Sequence, residues 1–168
     1  DTPGLTILQL RAKARRMKHQ HDVQLIVVDY LQLLNSTSRR ARDNRQQEIT
    51  EISGGIKTLA KELRLPVIIL SQLNREMERD KSRKPRLSDL RESGAIEQDA
   101  DIVGLLYKPA SREDEEDDLA DPSEGEPVNL LIAKQRNGPT GDVHLTFFKD
   151  YTRFENAARI SPEDVPME

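Results

Sequence analysis

Hydrophobic residues along the chain fall into short, dense runs that are separated by long polar stretches. The run LIVVDYL at residues 25–31 opens with four apolar residues, and it predicts a strand that is buried on both faces, as in a parallel sheet. The run VIIL predicts a second buried strand within residues 66–72. A third strand is predicted at 101–107 and a short one at 151–156.

Apolar residues recur at helical spacing in other stretches. Residues 6–20 predict an amphipathic helix, in which Thr6 and Gln9 fit the capping box that begins many helices. This helix leads into the strand at 25–31. A shorter helical piece is predicted to end near Ala100.

A second long helix is predicted at 44–64, with Gly54 and Gly55 in its middle. Inside a helix each glycine costs about 1 kcal/mol relative to alanine, so a close packing contact is the expected reason for both. The stretch GGIKT at 54–58 superficially resembles a phosphate-binding loop. It fails the G-x-x-x-x-G-K-[ST] spacing and lies on a helical stripe, so we expect it to be helix.

The later part of the chain predicts a β-hairpin over residues 128–149, at the edge of the sheet. Its centre is the dense turn signal NGPTG at 137–141. In the second strand polar and apolar residues alternate, and Val143, Leu145 and Phe147 are expected to point inward.

Composition narrows the possible functions. The chain has 168 residues, the usual size of one domain, and its net charge of −4 means that DNA or RNA contact must come from local basic patches. The absence of cysteine excludes disulfides and thiolate metal sites, and the three histidines are too scattered to suggest a zinc site. No apolar run reaches the length of a membrane span and no signal peptide precedes the first helix, so we expect a cytoplasmic setting without membrane contact.

Basic residues are concentrated in two polar stretches, 35–45 and 74–86, which follow the two predicted core strands. The arginines of the first stretch are Arg39, Arg40, Arg42 and Arg45. Both stretches leave the carboxyl ends of strands, so both could face one channel that holds single-stranded DNA. The alternative is that each is a solvated surface loop.

Polar side chains end both core strands. Asp29 ends the first, at the edge where open α/β sheets bind ligands, and a carboxylate there can hold Mg²⁺ beside a nucleotide phosphate. Gln72 ends the second and could hydrogen-bond a γ-phosphate or an attacking water. Both patterns are short. The alternative for Asp29 is a core strand that simply reaches the surface at an aspartate. The alternative for Gln72 is a polar residue that caps the end of a strand.

Longer segments of the sequence identify a protein family more specifically than these short patterns do. LIVVDYLQLL, PVIILSQLNRE, LSDLRESGAIEQDADIV and LLIAKQRNGPTG, in this order and spacing, closely resemble the DnaB-type replicative DNA helicases of bacteria over nearly the whole chain. RESGAIEQDAD and AKQRNGPTG are specific signatures, whereas LIVVD is not. The resemblance implies an α/β fold with a RecA-like P-loop NTPase core: a mostly parallel sheet, helices on both faces and a C-terminal β-hairpin at the edge.

The same resemblance implies an ATP-dependent motor with ATP and Mg²⁺ as cofactors. Such a motor unwinds duplex DNA by translocating on single-stranded DNA as a homohexameric ring, and the full-length protein contacts primase and a helicase loader. Two alternatives remain: a non-catalytic RecA-like subdomain that binds DNA or a partner, and a RecA-type recombination or repair ATPase. RESGAIEQDAD argues against the second.

The resemblance implies functional roles only for those residues that match a motif of the family. Asp29 matches the Walker B acid that positions Mg²⁺, and Gln72 matches the sensor of the γ-phosphate. Lys134 and Arg136 match a basic pair that reaches the neighbouring subunit's nucleotide, with Arg136 as the arginine finger. The residues that fall in the DNA-contacting channel loop are Arg91, Glu92 and Gly94.

Strand alternation predicts Lys134 and Arg136 on one face and Gln135 on the other. Two cations that project together from a hairpin tip suit a phosphate clamp, since arginine offers a planar, always-charged fork. Without the resemblance, a solvated turn charge would explain them equally well.

The chain departs from the family in what it lacks. The family's Walker A loop, its catalytic glutamate and its primase-contacting domain precede the segments that match here, so we expect the second half of a motor domain at 1–156, followed by a tail at 157–168. Without the Walker A loop the chain alone is expected to be inactive. An acidic stretch at 111–127 is predicted to be a flexible loop, and its run at 113–118 belongs to no family motif.

Overall fold

The computed structural model describes five ranges of the chain: 4–38, 44–74, 83–90, 94–109 and 125–157. The chain divides into two compact units, the first made of Asp1–Glu78 with Arg86–Asp101 and the second of Arg79–Pro85 with Ile102–Glu168. In these ranges no helix is long and apolar enough to cross a membrane.

The first unit alternates helices with strands. Its helices are α1 at Ile7–His21, α2 at Arg45–Leu63 and α3 at Gly94–Asp99, and its strands are β1 at Ile26–Val28 and β2 at Val67–Ile69. Two single 3₁₀ turns lie at Leu31–Leu33 and Leu87–Asp89. All three predicted helices are therefore confirmed, with small shifts at their ends.

The capping box at the start of α1 is confirmed. The Thr6 hydroxyl accepts a hydrogen bond from the Gln9 backbone N–H at 3.3 Å, and the Gln9 side-chain oxygen accepts one from the Thr6 N–H at 2.9 Å. The two bonds satisfy N–H groups that have no partner within the helix. Asn44 does the same for α2 by accepting from the N–H of Gln46 at 3.1 Å.

The two glycines of α2 differ in their surroundings. A Cβ at Gly55 would stand 2.5 Å from Cγ1 of Ile7, so the glycine lets α1 approach α2, as predicted. At Gly54 the nearest atom to such a Cβ is 4.0 Å away, so close packing is the wrong explanation for this glycine. The GGIKT stretch is helical, as predicted.

β1 and β2 pair in parallel, with Val28 opposite Ile69. The core of the unit packs α1 and α2 on one face of this pair, and its buried members are Ile7, Val28, Leu31, Leu34, Ile49, Ile52 and Ile56. The predicted burial of β1 on both faces is wrong for the described residues. Val27 is 56% exposed and Ile68 is 49% exposed, because alternate residues of a strand point away from the face that the helices cover. β1 is also shorter than predicted, since the chain turns at Leu31.

The second unit is an antiparallel sheet in the order β3-β4-β5-β6. Its strands are β3 at Ile102–Tyr107, β4 at Glu126–Gln135, β5 at Gly141–Phe148 and β6 at Arg153–Asn156. The predicted hairpin is confirmed as β4 and β5, and the short strand is confirmed as β6.

Two details of the predicted sheet need correction. Among the described strands only β1 and β2 pair in parallel, and the larger sheet is antiparallel because β4 returns beside β3. Val143 is 41% exposed, so the expected burial of this residue is wrong among the described residues, whereas Leu145 and Phe147 on the same strand are half-buried. The acidic stretch lies almost wholly outside the described residues, and β4 already begins at Glu126.

Candidate functional site

The carboxyl ends of β1 and β2 form one edge, and Asp29 is the first residue beyond β1. Hydrogen bonds continue past the strands: the Leu70 N–H donates to the Val28 carbonyl at 3.0 Å, and the Leu31 N–H donates to the Leu70 carbonyl at 2.9 Å. The two chain segments therefore stay side by side beyond the strand ends. Asp29 and Ser71 leave the same edge, as the sequence predicts.

A polar group lines this edge. Gln32 donates from its side-chain amide to the Ser71 hydroxyl at 3.0 Å, and its amide oxygen is buried without a hydrogen-bond partner among the described residues. Gln72 follows Ser71 directly and is exposed. The Asp29 carboxylate is exposed as well, and the peptide bond that follows it is cis.

Gln32 was not expected from the sequence. The only signal was a single polar residue in the apolar run that follows Asp29. In the structure it ties the 3₁₀ turn after β1 to the end of β2. It thereby stabilises the edge from which Asp29 and Gln72 project.

The edge offers one carboxylate and several amide and hydroxyl groups. Among the described residues no three histidine or acidic side chains cluster as metal ligands. A single carboxylate suits Mg²⁺, which keeps most of its ligands as waters and substrate phosphates. The donor set therefore fits a Mg²⁺–nucleotide complex to which this chain would contribute Asp29.

Lys134 and Arg136 lie at the end of β4. Lys134 is half-buried and stands opposite Val103, beyond an irregularity in the β3–β4 pairing. Arg136 is exposed in the turn that connects β4 to β5. Strand alternation ends at Gln135, so the expectation that the two cations share a face stays a prediction.

The predicted DNA-contacting residues fall mostly outside the described ranges; these are Arg39, Arg40, Arg42, Arg91 and Glu92. Gly94 is described and begins α3. A Cβ there would meet no atom within 4 Å, so packing within the described residues does not require a glycine.

The chain that leads into residues 39–43 is anchored to α2. The Ser36 N–H donates to Oε1 of Glu48 at 3.0 Å, and the Ser36 hydroxyl donates to Oε2 of Glu51 at 2.6 Å. Glu48 is only 6% exposed, and its other oxygen accepts from the Arg45 guanidinium at 2.6 Å. A buried carboxylate thus holds both ends of the polar stretch that carries the arginines.

α2 also holds α3. The Ser53 hydroxyl donates to Oδ2 of Asp99 at 2.7 Å, and one turn further Lys57 pairs with Asp101. Lys57, which superficially completes a phosphate-loop pattern in the sequence, therefore has a structural ion pair. α2 anchors the segment just after residues 91–93 as it anchors the one before residues 39–43.

Comparison with known protein families shows to which family the chain belongs. The model of the DnaB-like helicase C-terminal domain matches residues 1–156. The chain belongs to this family.

Individual members of the DnaB-like helicase family agree with the match. "Replicative DNA helicase DnaC" of Bacillus subtilis is 48% identical over 161 residues, which are 95% of this chain and 34% of that protein. "Replicative DNA helicase DnaB" of Geobacillus stearothermophilus is also 48% identical, with the same coverage of each chain. This chain therefore spans about a third of the length of these relatives.

Solved structures give the same fold. A DnaB-like replicative helicase, described with its interactions with primase, superposes with a TM-score of 0.78 at 38% identity, over 94% of this chain and 36% of that one. A second solved structure, of an ATPase domain, gives a TM-score of 0.75 at 40% identity, over 92% of this chain and 52% of that one. The predicted RecA-like α/β fold of the DnaB-like helicase family is thus confirmed.

Proposed function

We propose that this chain is part of an ATP-dependent replicative DNA helicase that unwinds duplex DNA by translocating on single-stranded DNA as a hexameric ring. The observation that carries the proposal is the edge at the ends of β1 and β2. Asp29 and Gln72 follow these two hydrogen-bonded chain segments, in a chain that belongs to the DnaB-like helicase family. The relatives named above are replicative helicases and not recombination ATPases.

The proposed nucleotide chemistry divides between two subunits. Asp29 holds Mg²⁺, directly or through a water, and Gln72 senses the γ-phosphate of the same nucleotide. Arg136, assisted by Lys134, stabilises the charge of the transferring phosphoryl group on the nucleotide of the adjacent subunit. ATP and Mg²⁺ are the proposed cofactors.

A phosphate cradle has to come from another part of the protein. The 168 residues contain no G-x-x-x-x-G-K-[ST] segment, and the relatives are about three times as long as this chain. We therefore assign ATP hydrolysis to a protein that joins this chain to a phosphate-binding half. Primase and a helicase loader are the partners proposed for that longer protein.

Single-stranded DNA is the proposed track, contacted by the polar stretches at 39–45 and 75–94. The contacts go mainly to phosphates, because a translocating motor cannot depend on base identity. Aromatic residues make up only 4% of the chain, which disfavours base stacking as the main contact. The expected binding is strongly salt-dependent and has little sequence preference.

The test compares two carboxylates in the longer protein. Asp29→Asn removes the metal contact, so Mg²⁺-dependent ATP hydrolysis and unwinding of a forked duplex should fall about 10²- to 10³-fold. Asp22→Asn is the matched control, since Asp22 is an exposed carboxylate in the left-handed cap of α1, a conformation that asparagine also adopts. It should leave both activities unchanged.

Full hydrolysis by Asp29→Asn would contradict the assigned metal role. A longer protein that binds single-stranded DNA but neither hydrolyses ATP nor unwinds duplex DNA would favour the alternative, a non-catalytic RecA-like binding subdomain.

A further inference from the structure

A chain of polar side chains crosses the sheet of the second unit. Lys84 pairs with Oδ2 of Asp142, and the Tyr107 hydroxyl donates to Oδ1 of Asp142 at 3.0 Å. The Asn129 amide donates to the Tyr107 oxygen at 3.2 Å, and its carbonyl oxygen lies 2.9 Å from Nδ1 of His144. Lys84 lies within the stretch proposed to contact DNA, but neither the nucleotide roles nor the DNA contacts proposed above use the other members of this network.

The strand register explains why these side chains meet. Tyr107 stands opposite Asn129 across β3 and β4, and Asn129 stands opposite His144 across β4 and β5. Asp142 lies two residues before His144, and residues two apart on a strand share a face. Three strands therefore hold the Asp142 carboxylate in place, and Lys84 comes to it from outside the sheet.

The ion pair is charged on both sides near neutral pH. The hydrogen bond from Lys84 lowers the pKa of Asp142, and the Tyr107 hydroxyl lowers it further. The same bond with Asp142 raises the pKa of Lys84. Both side chains keep some contact with water, so screening limits what the pair adds to overall stability. The pair holds the Lys84 side chain against the sheet of the second unit.

Each partner of the pair lies beside a segment with a proposed role. Lys84 lies within residues 75–94, the stretch proposed to contact DNA. Asp142 is the second residue of β5, just after the turn that begins with Arg136. One ion pair thus ties the DNA-contacting stretch, at Lys84, to the hairpin that carries the proposed arginine finger.

We propose that Asp142 is a positioning residue that couples DNA contact to ATP hydrolysis through its ion pair with Lys84. This rests on the proposed function. When DNA binds the stretch that contains Lys84, the pair transmits the change at Lys84 to the β4–β5 hairpin and so to Arg136. Lys84 then acts as an anchor for that stretch and not as a phosphate contact.

The experiment measures ATP turnover with and without single-stranded DNA, and DNA affinity, in the longer protein. Asp142→Asn keeps the size of the side chain but loses its charge. It should lower the stimulation of turnover by DNA about 3- to 30-fold, the range for residues that modulate coupling. Basal turnover and DNA affinity should remain those of the parent. Tyr107→Phe, which removes only the hydroxyl held by Asp142, should lower the stimulation less.

Exchange of the two charges tests the pair itself. The double variant Lys84→Asp with Asp142→Lys restores an ion pair in reversed order and should recover most of the stimulation that each single variant loses. Lys108→Met is the matched control, because it removes one cation that lies near Glu126 in the same unit. It should leave the stimulation unchanged.

Stimulation that stays at the parent level in Asp142→Asn would overturn the proposal, and so would a folded double variant that recovers none of it. If Lys84→Met weakens DNA binding while Asp142→Asn leaves the stimulation intact, Lys84 is a direct phosphate contact and the coupling role is wrong. A parent protein without DNA-stimulated hydrolysis contradicts the proposed function, and this inference falls with it.

Discussion

Gly54 and Gly55 are neighbours in α2, but only at Gly55 would an added Cβ clash with another side chain. Gly55→Ala should lower the free energy of unfolding, because overpacking against Ile7 costs about 1–3 kcal/mol. Gly54→Ala is the matched control and should raise that free energy by up to about 1 kcal/mol, the helix-propensity gain of alanine. Urea unfolding of both variants measures the difference. Two shifts in the same direction would contradict the packing at Gly55.

A second prediction at the residue scale concerns pH. Hydrogen bonds from Arg15, and then from Arg11, lower the pKa of Glu62 to about 2. A carboxylate with a depressed folded-state pKa stabilises the fold above its unfolded pKa of about 4.5 and loses that contribution as pH falls towards about 2. The parent and Glu62→Gln should therefore differ in stability near neutral pH and converge over this acidic range. Urea unfolding at several pH values measures this, and a constant difference down to pH 2 would contradict it.

At the scale of elements, α2 anchors the segments on either side of it. Glu48 accepts from the Ser36 N–H and from Arg45 while almost fully buried. Glu48→Ala leaves that buried N–H unsatisfied and should destabilise the chain by about 1–3 kcal/mol. Glu48→Gln keeps an acceptor and loses the charge, so its effect should be smaller. Thermal unfolding ranks the three proteins, and parent-like stability of Glu48→Ala would contradict the anchor.

Elements that depend on local signals could be predicted from the sequence. The capping box at Thr6, the helical spacing of α2 and the turn signal at 137–141 all lie within a few residues of the structure they specify. The pairing of β3 with β4 could not be predicted, because an apolar run that is not joined to its neighbour by a tight turn does not show which strand it joins. β3 therefore proved to pair with β4 in an antiparallel sheet.

Some residues of the candidate site could likewise be predicted from the sequence, and others could not. Asp29 and Gln72 could be placed at the edge formed by the strand ends because Asp29 directly follows β1 and Gln72 comes three residues after the end of β2. Gln32 could not, since one polar residue in an apolar run has no periodicity that predicts its partner. The pair of Lys84 with Asp142 joins residues 58 positions apart, so only the folded sheet brings them together.

At the scale of the whole molecule, the 168-residue chain alone should not hydrolyse ATP at a useful rate. In the proposed function Asp29 offers one metal contact, but the sequence contains no phosphate loop whose backbone N–H groups and lysine would hold the β- and γ-phosphates. Loss of both positioning and charge stabilisation should remove most of the catalysis. Steady-state phosphate release should equal that of an Asp29→Ala control. Release clearly above that control would show that the chain holds a phosphate site of its own.

The central claim is that nucleotide sites form between subunits of a ring, with Asp29 from one subunit and Arg136 from the next. Loss of an arginine finger typically costs about 10³–10⁵ in rate. In the longer protein, Arg136→Ala alone and Asp29→Asn alone should therefore each be nearly inactive, while both still bind nucleotide.

The decisive measurement is ATP turnover in hexamers that mix these two variants. An Arg136→Ala subunit keeps its own Asp29 and receives Arg136 from an Asp29→Asn neighbour, so mixed rings should regain hydrolysis at those sites. Native mass spectrometry verifies that the rings are mixed and intact. If such rings stay as inactive as each variant alone, Arg136 does not complete the neighbouring subunit's site, and the account is wrong.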